Sequence, residues 1–355
     1  MKKIVAFLVL LLSFTSVYAA KINQIVYFGD SLSDNGNLYK LLLHFLPKSP
    51  PYFNGRFSNG PTWSEHVSKY YYDKYSVGTS NYAVGGATAI FHMPTPEFVT
   101  PATLEIEVDK YLIDSLFSDR SKSLYVIWIG DNDYMFDQDA DPAAATKKVV
   151  DSIEWAISSL AYYGGKQFLV MNLADSSRTP MVQRDGSPEK LHRLVMTHNQ
   201  KLDASLKRVK TLYPEINLTF LNVYDLFNDF MDNTDKYNQK YNVNINNTTE
   251  SCWTGGYWLK NQISEQSLSD EIQQSLRTNK ADLPANFDAQ AMSKFILGSP
   301  ELAYSYKMSK AYDSGALPCA NPNEHMFWDS IHPSAVIHMM LSQVVIEMLG
   351  NQISG

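Results

Sequence analysis

The stretch Gln24-Ile25-Val26-Tyr27-Phe28-Gly29-Asp30-Ser31-Leu32-Ser33 decides the fold class of this chain. Its apolar residues, 25–28, predict a short strand, and a helix-like pattern over residues 38–45 follows the turn. A strand that passes through a turn into a helix places Ser31 at the carboxyl edge of a sheet, where open α/β folds hold their reactive groups. Taken alone, Ser31 is equally well explained as a helix N-cap.

Short apolar segments alternate with helical patterns along the rest of the chain. The predicted strands are 24–28, 81–84, 124–129, 167–172 and 217–222. The predicted helices are 62–72, 102–117, 142–163, 188–212 and 333–349. Continuously apolar strands joined by helices predict an α/β fold with a doubly wound parallel sheet, covered by helices on both faces.

The composition fits one large domain over residues 20–355. The chain has 355 residues, of which 45% are apolar, so it can bury a sizeable core. Its net charge of -7, with no basic cluster, argues against a nucleic-acid partner. Residues 228–323 are rich in Asn, Gln, Ser and Tyr and interrupt the strand–helix alternation. We interpret them as an insertion into the domain.

The first 19 residues have the pattern of a secretory signal peptide. Lys2 and Lys3 precede an apolar run over residues 4–12, and Val17-Tyr18-Ala19 fits a small-residue cleavage site. The apolar run is too short to span a bilayer comfortably, which disfavours a membrane anchor. We therefore expect a secreted protein, in periplasmic transit or extracellular.

The only two cysteines, Cys252 and Cys319, lie in the expected mature chain. An even cysteine count in an exported protein favours a disulfide. Such a bond would tether the insertion close to the segment Asp329-Ser330-Ile331-His332-Pro333.

That segment supplies a carboxylate and an imidazole three residues apart. A serine hydroxyl is a poor nucleophile without a base, and an imidazole can take its proton and return it to a leaving group. Asp329 can hold the tautomer of His332 that this role requires. In the alternative interpretation, Asp329 caps the next helix and His332 is a surface residue.

Two further segments offer hydrogen-bond donors for an oxyanion. Asn81-Tyr82-Ala83-Val84-Gly85-Gly86-Ala87 contains Gly86, whose backbone N–H can approach a substrate closely. Gly130-Asp131-Asn132-Asp133 follows a predicted strand and can present the Asn132 amide at the same sheet edge. Each segment alone is equally compatible with a simple turn.

These four segments, in this order, resemble the GDSL esterases and lipases, also called SGNH hydrolases. The resemblance implies a flavodoxin-like three-layer sandwich with Ser31 as nucleophile, His332 as base and Asp329 as its orienting acid. It also implies an oxyanion hole formed by the N–H groups of Ser31 and Gly86 and the Asn132 side chain. No Gly-x-Ser-x-Gly elbow surrounds Ser31, which separates the chain from the α/β-hydrolases.

Two neighbours compete with the implied site residues. Ser33 lies two residues after Ser31, but further into the predicted helix. His325 follows Glu324 yet lacks an acid three residues upstream. The remaining histidines show no metal-binding pattern, and we expect no metal and no cofactor.

Residues 28–37 and 54–63 resemble the secreted bacterial lipase branch of this family, which includes phospholipases A, lysophospholipases and glycerophospholipid:cholesterol acyltransferases. The resemblance implies phospholipid or lysophospholipid substrates, cholesterol as an acyl acceptor and transient contact with a membrane surface. A carbohydrate O-acetylesterase with the same triad is the alternative. A binding protein with a vestigial fold is disfavoured, because every chemical position is filled.

The insertion has two interpretations. It carries Trp253, Tyr257, Trp258 and Phe295 amid polar sequence, as a mobile lid over a lipid site would. A protease that cuts such a lid would activate the enzyme. Alternatively, the cysteine-bridged region only staples the fold.

Overall fold

The computed structural model describes residues 21–94, 99–135, 141–255, 263–279, 283–284, 287–350 and 353. The predicted signal peptide, Tyr257 and Trp258 lie outside these residues. Within them, every helix is too short or too polar to cross a bilayer.

A five-stranded parallel sheet forms the centre of the molecule, as predicted. Its strands are β1 (Gln24–Gly29), β2 (Gly78–Asn81), β3 (Ser123–Trp128), β4 (Gln167–Met171) and β5 (Asn217–Leu221). They are arranged in the order β2-β1-β3-β4-β5. Because β1 lies between β2 and β3, the strand order reverses there. Open α/β sheets bind ligands in the crevice at the carboxyl ends of the strands beside such a reversal.

Helices cover both faces of this sheet because its strands are apolar on both faces. Val26 and Phe28 point to one face, while Ile25 and Tyr27 point to the other. The helices on the first face are α3 (Leu104–Asp114), α5 (Pro142–Tyr162) and α7 (Pro188–Leu212). Those on the second are α2 (Trp63–Tyr75), α8 (Val223–Asp232), α9 (Thr234–Tyr241) and α13 (Ala335–Leu349). The predicted α/β fold with a doubly wound sheet is confirmed.

Two short helices lie near the carboxyl edge, α4 (Asn132–Met135) and α6 (Pro180–Asp185), and sequence patterns did not predict either. The strand predicted at 81–84 was placed too late, because the polar edge strand β2 covers Gly78–Asn81. Its pairing still continues, since the N–H groups of Tyr82 and Val84 donate to carbonyl oxygens of β1.

Two predicted helices have different limits. The helix predicted at 38–45 is α1 (Asn37–Leu41), and the left-handed backbone of Leu43 and His44 stops it from continuing. The helix predicted at 333–349 begins at Ala335 with Ser334 as its N-cap, so Pro333 lies outside the first turn.

The predicted insertion divides into two parts. Helix α8 runs through residue 228, and Phe230, Tyr237 and Ile245 pack in the core beneath the sheet. Further along, α10 (Glu265–Thr278), α11 (Ala289–Gly298) and α12 (Pro300–Asp313) form a separate apolar cluster with α1.

A small parallel pair joins the ends of this second part. Strand β6 (Asn247–Ser251) pairs with β7 (His325–Phe327). The predicted disulfide between Cys252 and Cys319 is present beside it. We call the residues between the two cysteines the disulfide loop.

Candidate active site

Ser31 lies in a tight turn at the carboxyl end of β1. The N–H groups of Ser33 and Asp34 both donate to the carbonyl oxygen of Asp30, at 3.0 and 2.9 Å. The turn begins at Gly29, where a side chain would meet the Trp128 carbonyl oxygen of β3 at 2.4 Å. Glycine therefore lets β1 and β3 approach closely and brings Ser31 to the switch point of the sheet.

The three residues of the predicted triad meet there. His332 Nε2 lies 3.0 Å from Ser31 Oγ, and His332 Nδ1 lies 3.0 and 2.9 Å from the two oxygens of Asp329. Tyr52, which sequence reasoning missed, donates its hydroxyl hydrogen to Asp329 Oδ2 at 2.7 Å. A buried carboxylate, an imidazole and a serine hydroxyl in line form the arrangement that serine hydrolases use to activate the hydroxyl.

Charge inside the buried pair favours the protonated imidazole. Burial by itself lowers the pKa of His332, but the Asp329 and Glu301 carboxylates outweigh burial and raise it. Burial likewise raises the pKa of Asp329, yet the opposing charge and hydrogen bonds of His332 hold it below its usual range.

The segment over residues 54–63 fixes the position of the histidine. Ser58 Oγ donates to the Pro333 carbonyl oxygen at 2.9 Å, and Asn59 Oδ1 accepts the N–H of Ala335 at 2.7 Å. The Phe57 ring lies 5.0 Å from the His332 ring. These contacts hold the backbone that follows His332 and pack against its ring.

The segment that contains Gly86 is tied to the turn after β1. Asp34 Oδ2 accepts the N–H of Gly85 at 2.8 Å, and the Asp34 carboxylate also accepts backbone N–H groups at the start of α1. Gly86 has φ +76°, and a side chain there would lie 2.9 Å from the Pro101 ring. Both constraints require glycine at this position.

Asn132, at the start of α4, borders the same cleft as Ser31 and His332. Its Nδ2 donates to the Ala87 carbonyl oxygen at 2.9 Å, which orients the amide and leaves its second N–H for another acceptor. The next residue, Asp133, accepts the N–H groups of Ala89 and Ile90 and so anchors the same loop.

Glu301, like Tyr52, is a residue of the site that no sequence pattern indicated. It lies in the first turn of α12, inside the disulfide loop, and only 2% of it is exposed. Its Oε1 is 3.1 Å from His332 Nε2. Its Oε2 is 3.4 Å from the place a Cβ would take on Gly86. The carboxylate therefore lies between the imidazole and the predicted oxyanion hole.

The structure brings neither competing residue to the site. Ser33 is buried, and its Oγ accepts the indole N–H of Trp63 at 3.2 Å. His325 Nδ1 lies 3.5 Å from Cys319 Sγ, beside the disulfide. Cys252, Cys319 and His325 bring potential metal-ligand atoms together, but both sulfurs are used in the disulfide.

A cleft opens beside Ser31 and His332. Its apolar wall is formed by large side chains from several elements, namely Trp128, Met135, Phe227, Met231 and Phe327. Asp131 lies on the polar side of the cleft. Burial and the nearby Asp175 and Asp133 charges raise its pKa to about 7, although a contact with the Ser176 side chain acts to lower it.

The chain is similar in sequence to known bacterial proteins. The chain is 29% identical over 338 residues to the phosphatidylcholine-sterol acyltransferase of Aeromonas hydrophila, covering 93% of this chain and 91% of that protein. It is 29% identical to the secreted effector protein SseJ of Salmonella typhimurium, over 59% of this chain and 49% of that protein.

Among solved structures, a catalytic mutant of an acetylxylan esterase from Geobacillus stearothermophilus aligns with a TM-score of 0.36 and 12% identity, covering 93% of this chain and 95% of that one. The sequence model of the GDSL-like lipase/acylhydrolase family matches residues 25–344, which span all but the first residue of the sheet and all the candidate site residues. The chain therefore belongs to the GDSL-like lipase/acylhydrolase family, whose members are carboxylic ester hydrolases and acyltransferases.

Proposed function

We propose that this protein is an exported enzyme that cleaves fatty-acyl esters of phospholipids or lysophospholipids and passes the acyl group to water or to cholesterol. The observation that carries this proposal is the hydrogen-bonded line Ser31–His332–Asp329, which opens directly onto a cleft with an apolar wall.

In the proposed reaction, Ser31 Oγ attacks the ester carbonyl carbon while His332 Nε2 takes the hydroxyl proton. The N–H groups of Ser31 and Gly86 and the free N–H of Asn132 stabilise the negative oxygen of the tetrahedral intermediate. The bond to the alcohol then breaks, and His332 returns the proton to the leaving oxygen. Water or a sterol hydroxyl attacks the acyl-serine by the same steps. Asp329 stays ionised throughout.

The cleft supports a long acyl chain as the substrate. The apolar wall formed by Phe227, Met231 and Phe327 suits an alkyl chain. The similarity to a phosphatidylcholine-sterol acyltransferase, over nine-tenths of both chains, supports a lipid substrate and a sterol acceptor.

Exposed apolar side chains near the site support contact with a membrane surface. Phe91 and Met93 are 63% and 77% exposed. They follow Ile90, whose N–H donates to Asp133, the residue after Asn132. Because the net charge is -7, attraction to anionic lipids is weak and apolar insertion is the mode we propose.

The test is to incubate the purified protein with phosphatidylcholine, lysophosphatidylcholine and cholesterol, and to identify the products by mass spectrometry. Free fatty acid and cholesteryl ester, both lost in S31A, would support the proposal. Acetate release from acetylated xylan, with no fatty acid formed, would support the O-acetylesterase alternative instead.

A further inference from the structure

The disulfide loop places a carboxylate where the reacting ester must bind. Glu301 Oε1 lies 3.1 Å from His332 Nε2, almost as close as Ser31 Oγ at 3.0 Å. Its second oxygen faces Gly86. The Glu301 carboxylate therefore lies beside Gly86, one of the groups predicted to form the oxyanion hole.

This position excludes substrate for steric reasons. In the proposed reaction, the ester carbonyl carbon lies within contact of Ser31 Oγ and its oxygen points to Gly86 and Asn132. The Glu301 carboxylate, 98% buried, already fills the space between Gly86 and His332. Both groups cannot occupy that space together.

The same carboxylate also opposes proton transfer. It faces His332 from the side opposite Asp329, and a hydrogen bond from Nε2 to Glu301 requires that nitrogen to carry its proton. A protonated Nε2 cannot accept the proton of Ser31. The contact therefore disables the base as well as filling the site.

Burial of the Glu301 carboxylate nevertheless destabilises this contact. Glu301 Oε2 is buried and has no hydrogen-bond partner among the described residues. Asp30 and Asp329 are buried carboxylates at the same site. The pKa of Asp30 is raised mainly by burial and by the Asp131 charge, and the Glu301 charge raises it further. Unpaired and crowded buried charges favour release of Glu301 into water once its helix can move.

Contacts with residues inside and outside the disulfide loop hold helix α12 in place. The Tyr304 hydroxyl is 2.7 Å from Ser330 Oγ and accepts the Ser330 N–H at 3.2 Å. Just before α12, the Gly298 carbonyl oxygen accepts the N–H of Val99. On the outer side, Glu271 of α10 binds Lys310.

We infer that Glu301 is an intramolecular inhibitor whose carboxylate lies against Gly86 and ties up His332, so that the described conformation is a closed form of the enzyme. Opening requires Glu301 to leave, either when α12 moves at a lipid surface or when the disulfide loop is cut. This inference rests on the proposed function for the roles of Ser31 and Gly86.

The decisive measurement uses a small fluorophosphonate, which needs no lipid. Ser31 Oγ forms a bond to phosphorus while fluoride leaves, and the rate constant reports how free the site is. We expect E301A to raise this rate constant about tenfold or more, which corresponds to about 1.4 kcal/mol. E301Q, which keeps the bulk but not the charge, should give a smaller rise. The controls D270A and D270N remove an exposed carboxylate of the same loop and should leave the rate unchanged.

Limited proteolysis within the disulfide loop provides a second route that needs no folding of a variant. Cutting should accelerate labelling of the wild-type protein to the E301A level and should add little to E301A. An unchanged or lower rate in folded E301A or E301Q, or in the cut wild type, would overturn the inference. If labelling rises in E301A while no fatty acid is released from any lipid, the inference holds and the proposed lipid function fails.

Discussion

The hydroxyl of Tyr52 offers a sharp test of how the candidate triad is held. It donates to Asp329 Oδ2 at 2.7 Å, and Asp329 has no solvent exposure. Oδ1 has donors in the N–H groups of Ile331 and His332, whereas the donors to Oδ2 are Tyr52 and His332 Nδ1. Y52F therefore removes one of the two donors to Oδ2 and keeps the aromatic ring.

The structure sets the size of the effect. A hydrogen bond to a buried charged group contributes about 1.5–3 kcal/mol, so we expect Y52F to lower the free energy of unfolding by about that amount. The remaining negative charge on Asp329 then acts more strongly on His332 and raises its pKa further. If about half of the lost energy is expressed in this way, the pKa of His332 rises by about half a unit to one unit.

The assay is the pH dependence of kcat/KM on a short soluble ester, together with urea unfolding. Since the base must be neutral to accept the Ser31 proton, activity increases as pH rises through the pKa of His332. Y52F should move this increase to higher pH by about half a unit to one unit, and lower kcat/KM about three- to tenfold at a pH on the rising limb. KM should change little, because Tyr52 does not line the cleft.

Y237F is the matched control. The Tyr237 hydroxyl also donates to a carboxylate, Asp229 Oδ2, but this pair joins helices α8 and α9 on the second face of the sheet. It should lose stability without a change in the pH profile. A Y52F profile that stays in place or moves to lower pH would refute the reasoning that Tyr52 tunes the imidazole through Asp329.

The remaining predictions concern the candidate site residues and their neighbours. S31A should lower the rate of ester cleavage by several orders of magnitude and leave the free energy of unfolding unchanged. S33A should still be labelled covalently at Ser31. Activity retained in S31A would exclude Ser31 as nucleophile. H332A should match S31A closely because the two residues act as one unit, while H325A should stay active; equal losses in both histidine variants would reopen the choice of base. N132A should lower kcat about a hundredfold or more with KM nearly unchanged, and an effect confined to KM would contradict a transition-state role.

The sequence was most informative where local patterns act through backbone geometry. The apolar run before Gly29 and the strand before Gly130 predicted that Ser31 and Asn132 would lie at one sheet edge, and both segments follow neighbouring strands of the parallel sheet. The three-residue spacing of Asp329 and His332 sufficed to join their side chains. Such features can be predicted from the sequence because the local strand and turn fix them, independently of residues far away in the chain.

Contacts over long sequence separations could not be predicted in this way. Tyr52 lies 277 positions from Asp329, and Glu301 lies 31 positions from His332 within a stretch without recognisable periodicity. A glutamate that follows proline at the start of a helix usually needs no explanation beyond the helix dipole. Only the fold of α12 against the catalytic segment reveals that this carboxylate points inward.

We propose that the two interpretations of the disulfide loop apply to different parts of it. Cys252 donates its N–H to Phe327, and Trp253 donates to Trp328, so the cysteine end is joined by backbone hydrogen bonds to the strand that leads to His332. Helix α12 instead reaches the site through side chains and a few loop contacts. Cutting between α10 and α12 would leave the disulfide and β7 intact and so keep His332 in place. In this proposal, the disulfide end keeps the triad assembled while α12 moves away from it.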